Sequence, residues 1–261
     1  MRPNRDHRAA AAFLVGSLAL AGCGSATIGT TAPSPTLAVS PAPSLEATAS
    51  PTSSAGAVDV FALDGILDEG QTYWVDPDFD ESTTLRVLFT IPARGWASWT
   101  GTTKESDAGH AAVSIVEISN LNVDACRDQQ PRDPPVGSSV EDLALALAAL
   151  PPFEVTSPAA DATIWGYTGK HLQVTVPDLQ VEFQGGNKFF TDCQAGILKS
   201  WIAPVLSSSF YGYTGPGHAE EFWILDVEGT RLVVSANWSP GTPSEDMEEL
   251  QAILESIRIE L

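Results

Sequence analysis

EFWILDVEGTRLVVSANW, residues 221–238, is the stretch that decides the fold. Phe222-Trp223-Ile224-Leu225-Asp226-Val227 and Arg231-Leu232-Val233-Val234-Ser235-Ala236 are two runs of β-branched, aromatic and aliphatic residues, parted by Glu228-Gly229. Gly229 supplies the positive φ that a short turn requires, so the pattern predicts a β-hairpin. Working outward, Leu85, Val87 and Phe89 alternate with Arg86 and Leu88 and end at Ile91-Pro92, followed by a turn through Gly95. Ala112–Ile118 and Leu172–Val176 form further strand-like runs.

Two helices punctuate these strands. Ser138 with Glu141 predicts a capping box, and Val140, Leu143, Leu147 and Leu150 follow on one face until Pro151-Pro152 ends the helix. Near the C-terminus Thr242 is the predicted N-cap, Pro243 the first helical position and Glu245 the reciprocating acid. Met247, Leu250, Ile253, Leu254 and Ile257 then make one apolar stripe. A single apolar face suits a helix packed on a sheet. The expected class is α+β, a mostly antiparallel sheet with packed helices.

The Pro92, Gly95, Trp96 turn after an amphipathic strand, the late hairpin, and a C-terminal helix leading into Ile257-Arg258-Ile259 together resemble the Mog1/PsbP-like α/β/α sandwich. The likeness covers most of the folded segment by order of elements, and no functional residue carries over. Members of that fold serve as accessory and binding proteins rather than enzymes, so the resemblance implies a binding role.

The N-terminus predicts export. Arg2, Arg5 and Arg8 stand before an uncharged apolar run from Ala9 to Ala21, which is shorter than the ~20 residues a membrane-spanning helix needs. Leu20-Ala21-Gly22-Cys23 resembles the bacterial lipobox, in which the cysteine becomes the lipidated N-terminus. The resemblance implies a signal peptide over 1–22 and lipidation at Cys23, holding the chain at the extracytoplasmic face of the cell membrane. Two or more acyl chains anchor stably where one does not. Residues 23–58 are rich in Ser, Thr, Ala and Pro, with Glu46 their one charged side chain, and predict a disordered linker. As a flexible coil it would span ~30–35 Å. Residues 59–261 are then a single globular domain.

The formal net charge is −20, and loss of residues 1–22 makes it −22, with 10 basic and 32 acidic side chains left. That balance opposes nucleic acid and anionic headgroups. With Cys23 committed to lipid, Cys126 and Cys193 remain, an even pair that predicts one disulfide in an exported domain.

No nucleophile elbow, zinc-protease motif or phosphate-binding loop occurs, and no cofactor is expected. His218-Ala219-Glu220-Glu221 places an imidazole and carboxylates beside the hairpin, as a site or as a solvated strand entrance. Tyr211 and Tyr213 sit in a glycine-rich loop that could stack on sugars or apolar ligands. Trp96, Trp99, Trp165 and Tyr167 either line the same concavity or pack in the core. Asp76, Asp78 and Asp80 have the spacing that opens a calcium loop, but Glu81 stands where such a loop needs glycine. The leading expectation is a non-enzymatic, membrane-anchored envelope protein that binds an envelope protein or a small ligand. The alternatives are a hydrolase around His218 and Glu220 and a structural cell-surface protein.

Overall fold

The computed structural model describes residues 56–80, 83–107, 109–184, 187–204 and 213–261. Cys23, the signal and most of the linker, Glu81 and Tyr211 lie outside the described residues. The first strands in chain order are β1 (Val58–Asp59), β2 (Thr72–Val75), β3 (Arg86–Thr90), β4 (Ala97–Ser98), β5 (Gly101–Glu105) and β6 (His110–Val116). There follow β7 (Asn120–Asp124), β8 (Asp128–Pro131), helix α1 (Val140–Ala148), β9 (Glu154–Ile164) and β10 (Tyr167–Thr175). The last elements are β11 (Val181–Gln184), β12 (Asn187–Phe190), β13 (Trp201–Ile202), β14 (Ala219–Val227), β15 (Thr230–Trp238), helix α2 (Ser244–Ser256) and β16 (Arg258–Glu260).

The predicted hairpin is β14–β15, in the middle of a seven-stranded sheet ordered β4-β5-β6-β15-β14-β10-β9. A second sheet runs β1-β2-β3-β16, a third β13-β7-β8, and β11-β12 pair alone. The β1–β2 pair is parallel and the other ladders are antiparallel. The coarse α+β expectation holds, but the domain is richer in sheet than an α/β/α sandwich: among the described residues only α1 and α2 are α-helices.

Side chains alternate across a strand, so the hairpin is apolar on both faces. Phe222, Ile224 and Val233 join a core with α1 (Leu143, Ala144, Leu147). Leu225, Val227, Leu232 and Val234 join a second core with α2 (Leu250, Ile253, Leu254) and the β1–β3 layer (Val60, Tyr73, Phe89). Each face therefore carries one helix, with the smaller sheets completing the cover.

The helix starts differ from prediction by one residue. Ser139, not Ser138, caps α1, and Asp142 reciprocates in place of Glu141, which frees Glu141 to pair with Lys170 at 2.6 Å. Thr242 does not cap α2; its hydroxyl donates to the carbonyls of His110 (2.9 Å) and Ser239 (2.8 Å), tying the helix entrance to β6. Pro243 takes the N-cap position without a side-chain bond.

The turn between β14 and β15 holds two left-handed residues, Glu228 (φ 51°) and Gly229 (φ 89°), with Val227 paired to Thr230. The β9–β10 turn repeats this with Trp165 (φ 52°) and Gly166 (φ 89°). A non-glycine residue in that region is strained, Asn least so. Cys126 and Cys193 are joined, Cα atoms 4.4 Å apart, and are buried in the α1-side core. The bond ties the β7–β8 turn to the segment after β12.

Two stability outcomes follow. Glu228→Asn relieves the turn and raises stability by about 1 kcal/mol, read as a melting-temperature rise of ~2–4 °C for a domain of this size. Replacing both Cys126 and Cys193 by alanine opens the 67-residue separation and lowers stability by roughly 4 kcal/mol, measured by urea unfolding.

Candidate functional site

At one end of the seven-stranded sheet the α1-side face turns from apolar to polar. Continuing the alternation from Phe222 gives Glu220 and His218; from Val233 it gives Ser235 and Asn237; from Val116 it gives Ser114. Glu220 pairs in register with Asn237, and Ser235 with Ser114. His218, Glu220 and Asn237 are all 0 % exposed.

Glu220 lies in a pocket of donors. The Tyr213 hydroxyl donates to its Oε2 at 2.5 Å, with the Ser200 hydroxyl 3.0 Å from the same phenol. Burial pushes the Glu220 carboxyl up to about 7, against hydrogen bonds from Tyr213, Ser235 and Trp201 that pull it down. No positive charge is among the groups that shift it.

His218 is held as a neutral ring. Its Nδ1 faces the backbone N–H of Thr214 at 3.2 Å and the Thr214 hydroxyl at 3.0 Å. With Nδ1 accepting, the proton belongs on Nε2, and the Asn237 side chain supplies a further hydrogen bond to the ring. Burial pushes its pKa down to about 3, and the neighbouring His110 adds to the effect. The rings of His110 and His218 are 5.6 Å apart, and that of Tyr213 stands 5.1 Å from His218 on its edge.

His110 connects this interior to the surface. It opens β6 opposite Glu105, the last residue of β5. Its Nδ1 meets Glu105 Oε1 at 2.5 Å and its Nε2 meets Asn237 Oδ1 at 2.8 Å. The run Glu105–His110–Asn237–His218–Thr214 thus reaches from an exposed carboxylate into the core and back out. Above it lies a cleft of about 360 Å³, walled by His110 and Glu105 on one side, by Phe183 and Lys188 of β11–β12 on another, and by Thr214–Pro216.

The chemistry open to these groups is limited by access. A general acid or base must come within about 2.6–3.2 Å of the proton it moves. His218 and Glu220 are sealed from the cleft, and both ring nitrogens of His110 are engaged. What the cleft does offer is a set of hydrogen-bonding groups beside an exposed ring.

Of the residues singled out in the sequence, Tyr213 and His218 meet here. Tyr213 is 7 % exposed and points inward, not into the cleft. Trp96 lies elsewhere, 0 % exposed under α2, where its indole N–H donates to Glu249 Oε2 at 2.8 Å. Trp165 and Tyr167 pack against that second core, while Trp99 is 51 % exposed. Asp76 pairs with Arg86 at 3.3 Å, and burial pushes its carboxyl up to about 6. Asp78 Oδ1 accepts from the Asp80 backbone N–H (2.9 Å) and the Thr83 hydroxyl (3.1 Å), so it closes its own loop. Among the described residues no group of three His, Cys, Asp or Glu is arranged to hold a metal ion.

Sequence reasoning missed His110, Asn237, Phe183 and Lys188. Asn237 was detectable, since it is a polar residue at an inward position of an apolar strand. His110 was not, because its role depends on the β6–β15 register.

A larger cavity of about 670 Å³ lies between the α1 N-terminus and the β9–β10 and β14–β15 turns. Its charges are consumed internally. Lys170 is bound to Glu141 and Asp161, and Arg231 donates to the carbonyls of Gly137 (2.5 Å) and Ile118 (2.6 Å).

The buried pair makes opposing contributions to stability against pH. His218 titrates near 6.5 unfolded but near 3 folded, so its contribution falls as pH drops below 6.5. Glu220 titrates near 4.5 unfolded but near 7 folded, so its contribution falls as pH rises from 4.5 to 7. Between these the two slopes oppose. Relative to the parent, Glu220→Gln gains stability with rising pH across that window, and His218→Gln loses it. Each slope approaches about 1.4 kcal/mol per pH unit, measured by urea unfolding at a series of pH values.

No protein-family model matches the chain, and no curated protein matches it. Among solved structures, the chain is similar to one described as LpqN, involved in cell envelope biogenesis of Mycobacterium tuberculosis, at 12 % identity. The alignment covers 73 % of this chain and 91 % of that one with a TM-score of 0.35, a likeness too slight to assign fold or function.

Proposed function

We propose that the chain is a lipid-anchored envelope protein, held through Cys23 at the extracytoplasmic face of the membrane, whose domain binds a small ligand or partner segment in the cleft beside His110. The observation that carries the binding role is the sealing of the acid–base pair. His218 and Glu220 are fully buried and brace the cleft wall through Thr214 and Tyr213, so they support a ligand surface without reaching a ligand. The buried Cys126–Cys193 bond suits an oxidising, exported setting. Among the described residues no helix is long and apolar enough to cross a membrane, which fits attachment by lipid at the Arg-rich, apolar, lipobox-like N-terminus. The Mog1/PsbP-like arrangement stays part of this proposal, supported by a helix on each face of the main sheet and by the late hairpin running into α2 and β16.

Cell fractionation tests the anchor. The parent chain is expected in the membrane fraction and Cys23→Ala in the soluble one; a membrane-retained Cys23→Ala protein overturns it. A panel of ester, peptide and glycoside substrates tests the binding role. No turnover is expected, and turnover abolished by Glu220→Gln with the fold intact establishes the hydrolase instead.

A further inference from the structure

The cleft combines an apolar platform with hydrogen-bonding groups of both kinds. Phe183 is 71 % exposed, an unusual placement for a ring of that size, and Lys188 Nζ lies 5.9 Å from its centroid. The same cleft is lined by the Glu105 and Asp107 carboxylates, which only accept, and by the Ser106, Thr214 and Ser239 hydroxyls, of which Ser106 already donates to Gly109 and Thr214 to His218. Formal charge is low: the Glu105 and Asp107 carboxylates outnumber the Lys188 ammonium by one, and Glu105 is in contact with the His110 ring. A strongly charged ligand has no matching excess of countercharge here. A purely apolar ligand would desolvate the carboxylates and Lys188 without giving back a hydrogen bond, which is costly.

A molecule that satisfies all of these has hydroxyls that donate and accept around its rim, no net charge, and a flat apolar face. We propose that the cleft binds an uncharged oligosaccharide, a pyranose ring stacking on Phe183 while its hydroxyls bond to Glu105, Asp107 and Lys188. At about 360 Å³ the cleft is at the small end of the ~300–1,000 Å³ range of small-molecule sites, so it grips a short section of such a chain. The proposal rests on the binding role given above for the same cleft, and names its ligand class.

The test is a titration of the ¹⁵N-labelled domain, followed by amide chemical shifts, with cellotriose and chitotriose in one arm and the zwitterionic dipeptide glycyl-phenylalanine in the other. Saturable shifts at His110, Thr214, Gly215 and Lys188 with either trisaccharide are expected, weakened about tenfold in Phe183→Ala. Because Phe183 is exposed, that variant should unfold at the parent temperature, and Asp107→Asn gives a second, independent weakening. Shifts at the cleft with the dipeptide alone overturn the carbohydrate inference and leave the binding role standing. Shifts with neither overturn both. Saturable trisaccharide shifts that are unchanged in Phe183→Ala and Asp107→Asn place binding elsewhere and also overturn it.

Discussion

Phe222, Ile224 and Val233 point to one side of the β14–β15 hairpin, and Leu225, Leu232 and Val234 point to the other. A strand pair apolar on both faces must be covered twice, because leaving either face in water costs roughly 25 cal/mol per Å² of apolar surface. The rest of the architecture follows from that demand. Helix α1 and the disulfide-tied segments close one side; α2 and the β1-β2-β3-β16 sheet close the other. Neither helix is long, so small sheets supply the remaining cover, and the domain becomes sheet-rich.

The same hairpin builds the candidate site by letting one face run out of apolar residues before its strands end. His218, Glu220, Ser235 and Asn237 occupy positions that the pattern elsewhere fills with aliphatic side chains. Buried polar groups are tolerable only when they satisfy one another. Here Tyr213 meets Glu220 and is itself in contact with the Ser200 hydroxyl, while Thr214 and Asn237 meet His218. A connected polar layer under a cleft fixes the shape of the wall above it more narrowly than an apolar layer would, since each hydrogen bond has a direction as well as a distance.

Much of the frame was legible in the sequence because it is written in local patterns. The hairpin, both helices and the cysteine pair each rest on spacing or on parity of count. The one-residue shifts at the helix starts came from competition: Ser138 and Ser139 are both competent caps, and Thr242 found better partners in the carbonyls of His110 and Ser239. The strands β2 and β9 were not read, since Thr72–Val75 is too short to show a period and Glu154–Ile164 is polar and small along most of its length. For the site, His218 and Tyr213 stood out as residue types, but His110 meets His218 only through the packing of distant strands, and Ser200 meets Tyr213 from a loop just before β13. Trp96 illustrates the converse. A tryptophan after a glycine turn suits a surface as well as a core, and only the position of Glu249 on α2 decides for the core.

Strand β1 has two residues, and it joins its sheet by a parallel pairing to β2 at the sheet's outer edge. Chain tension arriving from the N-terminal side meets the Gly56 carbonyl, which accepts from the Gln71 side chain, and then the pairings of Val58 and Asp59. A two-residue pairing yields under little force, and the Val60–Ala62 turn comes next. The central sheet, with the cleft at its end, is not hydrogen-bonded to β1 and stands outside this first line of strain. Release of the β1–β2 pairing frees the chain only as far as Val60, which is fully buried in the α2-side core, and breaks no ladder of the central sheet. Under the proposed anchoring and binding roles, such a fuse would protect the grip.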